Sequence, residues 1–162
     1  MNQTKMFKQF NELYGVGEIE PTRENLEKAL GLILDEVKEA YEELYMGVVI
    51  DMKLSAPREE VNLKNAAKEL TDIRYITGER ATAFKFDVDA LDKEVHRSNM
   101  SKCLKLNFTE GQELAIAKER YPHAKVEWVN GKYMVLRCQE SKKLIKPTTY
   151  SPANITDEMI GN

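Results

Sequence analysis

Leu26-Glu27-Lys28-Ala29-Leu30-Gly31-Leu32-Ile33-Leu34-Asp35-Glu36-Val37-Lys38-Glu39-Ala40-Tyr41-Glu42-Glu43-Leu44 is the stretch that decides the fold class. Leu26, Ala29, Leu30, Ile33, Val37, Ala40, Tyr41 and Leu44 recur at three-to-four spacing, the period of an amphipathic helix whose apolar stripe is buried. Pro21-Thr22 stands just ahead of it, and Thr22 suits the N-cap because its hydroxyl can accept from a free backbone N–H. With Glu36 placed at 0° and about 100° per residue, Ile33, Val37, Ala40 and Leu44 fall at about 40–100° and Glu39 at about −60°. Glu36 and Glu39 therefore flank the apolar stripe, where a groove between two helices opens.

The same geometry returns downstream. Residues 57–83 read as a helix with Pro57 near its start and a stripe of Leu63, Ala66, Leu70, Ile73, Thr77 and Ala81. With Glu69 at 0°, Ala66, Leu70 and Ile73 again fall at about 40–100° and Asp72 at about −60°. Two helices side by side would bring Glu36, Glu39, Glu69 and Asp72 to one spot. Four carboxylates repel one another unless a divalent cation stands among them, and an all-oxygen set selects a hard cation, Mg²⁺ or Mn²⁺. The alternative is a pair of solvated acidic faces.

Outward from these helices, residues 2–15 form a short amphipathic segment with Met6, Phe7, Phe10, Leu13 and Tyr14 at helical spacing, ended by Gly15 and Gly17. Its aromatic face either packs on a core or, through Phe7, Phe10 and Asn11, lines a pocket for a flat ring. Residues 46–56 break the helical pattern, and so long a connection reads as a lid, a subunit contact or an inert insertion. A fourth helix is expected over 89–103, with Asp89 as N-cap, Asp92 at its third position and Leu91, Val95 and Met100 inward. Its polar end carries Arg97, Asn99 and Lys102. Those groups suit phosphate oxygens, or they simply favour the negative end of the helix dipole.

Thr109-Glu110-Gly111-Gln112 reads as a capping box opening a short helix that Pro122 stops. The period then shifts to two: Val126, Trp128, Tyr133, Val135 and Cys138 flank Asn130-Gly131, a hairpin turn signal, and Lys143-Leu144-Ile145 offers a third strand. The tail from Pro147 has few apolar anchors and reads as extended.

The totals fit this picture. The 162 residues are 31% charged and 42% apolar with a net charge of −3, which suits one globular domain and argues against a nucleic-acid backbone as main partner. No membrane-spanning run and no signal-peptide core stand out, so a cytoplasmic location is expected. Cys103 and Cys138 lack metal-ligand spacing and read as free thiols. The Glu-x-x-His pairs of a di-iron bundle are absent, since Lys93 and Arg120 stand three residues before His96 and His123. Neither a Walker-type phosphate loop nor a Gly-x-Gly-x-x-Gly occurs. A hard metal beside Asn and Lys groups fits phosphoryl chemistry, with a spare glutamate to take a proton from water.

Asp35-Glu36-x-x-Glu39 followed by Glu69-x-x-Asp72 resembles the Glu-Glu-x-x-Glu … Glu-x-x-Asp signature of the all-α nucleoside triphosphate pyrophosphatases, and within that superfamily the MazG-like proteins. Asp89-x-x-Asp92-x-Glu94-Val95-His96-Arg97-Ser98-Asn99-Met100-Ser101-Lys102 is the more specific match, to compact single-domain members that include phage-encoded ones. Asn130-Gly131-Lys132-Tyr133 and Lys146-Pro147 are similar to the C-terminal extension of such proteins. The resemblance implies a mainly α fold. It would be a helical bundle over 1–106 carrying catalysis, with a small extension over 107–162 holding the short helix, β-hairpin and tail.

It further implies Mg²⁺-dependent hydrolysis of a nucleoside or deoxynucleoside triphosphate to the monophosphate and pyrophosphate, with Mn²⁺ able to substitute. Glu36, Glu39, Glu69 and Asp72 would be metal ligands, with Glu36 and Glu39 also catalytic. Asn99, Lys102 and Arg97 would contact the substrate, as would Asn11, Phe7 and Phe10. A homodimer or homotetramer is implied, in the host cytoplasm if the protein is phage-encoded. Asp35 stands where the signature has Glu and is not assigned as a ligand. The segment 46–56 accounts for a gap between the acidic turns longer than the family's. Two alternatives stand beside this reading: a phosphoribosyl-ATP pyrophosphatase, and a non-catalytic helical interaction module.

Overall fold

Asn2 accepts a hydrogen bond from the Lys5 backbone N–H at 3.0 Å and so starts the first helix, α1 (Gln3–Tyr14). Gly15 ends it in the left-handed conformation, φ 69°, which a glycine adopts without the Cβ clash. Local signals of this kind set most boundaries in the computed structural model of the chain, which describes residues 2–104 and 110–161. Thr22 caps α2 (Arg23–Glu42) by accepting from the Asn25 N–H at 3.3 Å, as its sequence position predicts. Helix α3 (Leu63–Ala83) starts six residues later than Pro57. Asn62 accepts from the Asn65 N–H at 3.0 Å, and an Asn side chain at that position stabilises a helix start by about 1 kcal/mol. Helix α4 (Val88–Met100) also corrects its expected start: Asp87, not Asp89, is the cap, accepting from the Ala90 N–H at 3.0 Å. Asp89 lies inside the first turn, where its charge still favours the helix dipole.

Helix α5 (Glu110–Arg120) precedes β1 (Ala124–Val129), β2 (Tyr133–Cys138) and β3 (Leu144–Ile145). The Thr109 cap expected for α5 lies outside the described residues. The three strands form an antiparallel sheet in the order β1-β2-β3, and the third strand is the expected Leu144-Ile145. Between β1 and β2, Asn130 and Gly131 are both left-handed, φ 53° and 62°, and the Lys132 N–H donates to the Val129 carbonyl at 3.0 Å. Two successive left-handed residues are what a type I′ hairpin turn requires, and Asn-Gly is its preferred pair. A short 3-10 turn at Asp157–Ile160 closes the chain. Among the described residues the protein is thus mainly helical with a small C-terminal sheet, and no helix is long and apolar enough to cross a membrane.

By contact, the chain divides into two compact units, one of residues 1–17 with 76–162 and one of residues 18–75. This division differs from a boundary at 106/107, for a physical reason. Leu13 of α1 shares a buried cluster with Val129, Val135 and Leu144 of the sheet, flanked by Phe10, Tyr14, Met100 and Cys103. A second cluster joins Leu104, Ala117, Ala124, Met134, Leu136, Cys138 and Ile145, so α5 and the sheet share a core. The C-terminal sheet is therefore the floor of the first unit rather than an appendage to it. Cys103 and Cys138 are free thiols, and burial pushes Cys103 up to about 11.

The second unit is built differently. Neither α2 nor α3 buries a residue completely. The predicted stripe of α2 is present but uncovered: Leu30, Val37, Tyr41 and Leu44 are 40–73% exposed. Expectations for α4 also shift. Leu91 and Met100 are half-buried, Val95 is 45% exposed, and the fully buried residue of that helix is Ser98.

Candidate functional site

The second acidic pair is the better defined. Lys68 Nζ donates to Glu69 Oε1 at 3.0 Å and to Asp72 Oδ2 at 2.5 Å. Both carboxylates of α3 thus point at one cation, as side chains three residues apart on a helix can. The Asp72 hydrogen bond, followed by the Glu69 one, holds the Lys68 ammonium above the usual lysine range. Glu69 also lines a cleft of about 280 Å³ within the same unit. Arg23, Leu26, Glu27 and Leu30 from the first turns of α2, Val61 just ahead of α3, and Ala66 and Leu70 from its first turns form its other walls. Arg23 donates to the Arg58 carbonyl oxygen at its edge.

The first acidic pair stands further along α2. Asp35, Glu36 and Glu39 are solvent-exposed, and the neighbouring ion pair of that turn is Lys38 with Glu42 at 3.5 Å. Glu36 and Glu39 do not line the cleft that Glu69 lines. Among the described residues, no three acidic, His or Cys side chains stand close enough to hold one ion. The structure thus brings Glu69 and Asp72 together around one positive charge and leaves Glu36 and Glu39 in solvent. The donor set is chemically suited to Mg²⁺ or Mn²⁺, being all carboxylate oxygen.

In the other unit, the polar end of α4 meets α1 and the C-terminal tail. Lys102 Nζ donates to Asn99 Oδ1 at 2.8 Å and to the Tyr14 hydroxyl at 3.3 Å. It stands 5.7 Å from the centre of the Phe10 ring and 5.8 Å from that of Tyr14, within cation–π range. The two rings are tilted against each other at 4.3 Å. Phe10, Asn99 and Lys102 are therefore gathered, each half-buried. Phe7 is 54% exposed and Asn11 is exposed.

Arg97 has other partners. Its Nε and Nη2 donate to Glu94 at 2.8 and 2.7 Å, its Nη1 to Ser151 Oγ at 2.8 Å and its Nη2 to the Pro152 carbonyl at 2.7 Å. The guanidinium ties the tail to α4, and its side chain stays 44% exposed. No protein-family model, curated protein or solved structure matches this chain. Any chemistry assigned to it rests on its own side chains.

Sequence reasoning passed over Lys68, although its spacing to Glu69 and Asp72 was legible. It also passed over Tyr14, Ser98 and Tyr150. Ser98 Oγ lies 3.1 Å from the Tyr150 hydroxyl, an encounter across half a hundred residues that no local pattern announces.

Proposed function

We propose that this chain is a Mg²⁺-dependent nucleoside triphosphate pyrophosphohydrolase of the MazG-like, all-α type, releasing a nucleoside or deoxynucleoside monophosphate and pyrophosphate. The observation that carries the reading is the convergence of Glu69 and Asp72 on one ammonium. A charged group accepted by two carboxylates is the arrangement a divalent cation replaces, and α2 repeats the same acidic pair at the same phase.

In this reading Glu36, Glu39, Glu69 and Asp72 would hold a divalent cation, and a cation held there would supply neutralisation of phosphate charge and activation of water. Glu36 or Glu39 accepts the proton of the attacking water. The water oxygen forms a bond to phosphorus, the bond to the bridging oxygen breaks, and pyrophosphate leaves with that oxygen. Lys102 and Asn99 bind phosphate or sugar oxygens, and Phe10, with Phe7 and Asn11, offers a face to the base. Arg97, 44% exposed at the same helix end, is a further contact for the substrate while its other donors hold the tail.

A panel of all ribo- and deoxyribonucleoside triphosphates with Mg²⁺, scored for monophosphate and pyrophosphate, tests the reading. Orthophosphate release would refute the bond assignment. Phosphoribosyl-ATP belongs in the same panel. Glu39→Gln and Asp72→Asn should each lower turnover by more than about 100-fold while leaving the melting temperature near that of the parent, because a metal ligand contributes more than the outer groups that orient it. Near-parental activity in either would remove the metal assignment. The interaction-module reading draws on the uncovered stripe of α2. It expects no thermal stabilisation by millimolar Mg²⁺ or Mn²⁺, whereas a site that binds metal only in the native state raises the melting temperature.

A further inference from the structure

The strap that follows β3 is fixed at unusual cost in polar burial. Ile145 and Pro147 are buried on either side of Lys146, whose own side chain is exposed. One residue on, Thr148 donates its backbone N–H to Glu113 Oε2 at 2.9 Å and its hydroxyl to Glu113 Oε1. Glu113 is only 2% exposed, and a buried carboxylate needs such donors to offset its lost hydration. The Tyr150 N–H then donates to the Pro147 carbonyl at 2.9 Å, turning the chain so that the Tyr150 hydroxyl meets buried Ser98 on α4.

This turn delivers a second ammonium to the neighbourhood of Lys102. Lys146 Nζ stands 4.7 Å from the centre of the Tyr150 ring. Tyr150 is held below the usual tyrosine range, first by its Ser98 hydrogen bond and then by the charges of Lys146 and Lys102, which both lie within electrostatic reach of it. Among the described residues, no carboxylate stands within 4.0 Å of either ammonium, although most other clustered charges of the chain are paired. Within the same strap, Thr149 buries its hydroxyl without a hydrogen-bond partner among the described residues. Lys146 stands over the Tyr150 ring, the Tyr150 hydroxyl meets Ser98, and the next residue, Asn99, holds Lys102, so two ammoniums without a carboxylate partner among the described residues border one segment and form an anion subsite.

We infer that Lys146 and Tyr150 extend the Lys102–Asn99 site into a clamp for a polyphosphate chain, Lys102 and Lys146 each taking phosphate oxygens. The assignment rests on the pyrophosphohydrolase reading for its substrate, but the clamp lies wholly within the unit of residues 1–17 and 76–162. Its binding can therefore be measured apart from metal and turnover. Lys146 binds the substrate directly and takes no part in the bond-breaking step.

The probe is inorganic tripolyphosphate without divalent metal, titrated into the full chain by calorimetry and repeated with sulfate at equal ionic strength. Tripolyphosphate should bind in preference to sulfate. Lys146→Ala should weaken it about tenfold, the scale of one charge-assisted contact, and Lys146→Arg should restore most of the loss. Tyr150→Phe, which keeps the ring and removes the bond to Ser98, should weaken it less. In the triphosphate assay, Lys146→Ala should raise KM about tenfold with kcat within about twofold, since it removes binding made equally in ground and transition states. Because Lys146 is exposed, its melting curve should match the parent's.

Tripolyphosphate affinity within twofold of the parent in Lys146→Ala overturns the clamp and leaves the hydrolase reading standing. Equal affinity for sulfate and tripolyphosphate overturns it as well. Lys146-dependent tripolyphosphate binding in a parent that turns over no triphosphate keeps the clamp and removes the hydrolase reading.

Discussion

Lys68 occupies the place of a cation. Its ammonium sits between Glu69 and Asp72 at 3.0 and 2.5 Å, and any divalent ion bound by those two carboxylates must displace it. The contacts are solvent-exposed, with Lys68 62% and Glu69 66% accessible, so the ion pair is weakly stabilising. In the proposed metal site it would compete with the divalent ion. Lys68→Met should tighten Mn²⁺ binding severalfold, because unit charges about 4 Å apart interact by about 1 kcal/mol even in water. Calorimetric titration of Mn²⁺ into parent and variant measures this directly, and weaker binding in the variant would mean that Glu69 and Asp72 are not ligands. The two carboxylates and their shared phase were legible in the sequence because a helix turns a spacing of three into a common direction. What was not legible was that Glu36 and Glu39 stay in solvent, since their direction depends on how α2 is covered rather than on its own period.

At the scale of elements, the chain's helices were readable and their ends were not uniformly so. Thr22 announced α2 because no rival cap stands beside it. Asp87 and Asp89 are both competent caps, and the structure uses the first, since Asp87 accepts from the Ala90 N–H and its own N–H donates to the Met159 carbonyl. That last bond ties the start of α4 to the C-terminal turn, a long-range preference invisible to local chemistry. The tail is extended up to its last turn, as its composition suggests, but what holds it was not legible for a related reason. It has few apolar anchors, but it is held by polar ones: Asn154 donates its N–H to Glu94 Oε1 at 2.6 Å, and Ser151 exchanges bonds with Arg97 and Ser101. Side chain-to-backbone anchoring leaves no periodic trace in a sequence.

This strap has a pH dependence of known sign. The Arg97 guanidinium, and then the Asn154 N–H, hold the Glu94 carboxyl down to about 2, from 4.5 for a free glutamate. The Arg97 contact is within α4 and persists when the strap is released, so docking is linked to pH through the Asn154 contribution: Glu94 takes up its proton at higher pH with the strap released than with it docked. The Glu94 contribution to docking is complete above pH 4.5 and is lost as pH falls toward 2. Amide hydrogen exchange at Asn154 should accelerate over that window, relative to amides of the β1–β2 hairpin. Glu94→Gln should show fast exchange at Asn154 at neutral pH and no further acceleration over the same window. A parent amide whose protection is flat from pH 4.5 to 2 would show that Glu94 is not what anchors the strap.

For the molecule as a whole, the sequence conveyed the class, mainly helical with a small sheet, but placed its core wrongly. Apolar periodicity says which face of a helix wants burial, not what buries it. The stripes of α1 and the strands are covered within the chain: Leu13 and Val135 are fully enclosed. The equally regular stripe of α2 is not, and Leu32, Leu44, Tyr45, Met46, Val49 and Leu54 add 62–111% exposed apolar side chains to the same unit. Monomers rarely expose so many large apolar side chains in one unit, because burial returns about 25 cal/mol per Å². The homo-oligomer expected from the family resemblance would supply a cover of the right chemistry, a second copy of the same stripe. The chain should therefore sediment as a dimer or larger species at micromolar concentration, and its melting temperature should rise with protein concentration, because association stabilises by mass action. Val37→Glu and Leu44→Glu, both at exposed positions, should shift sedimentation toward the monomer. Neither should disturb the sheet, whose core contains no residue of α2. A parent that sediments as a monomer with a concentration-independent melt would leave the stripe of α2 without this explanation and would remove the oligomer from the functional reading.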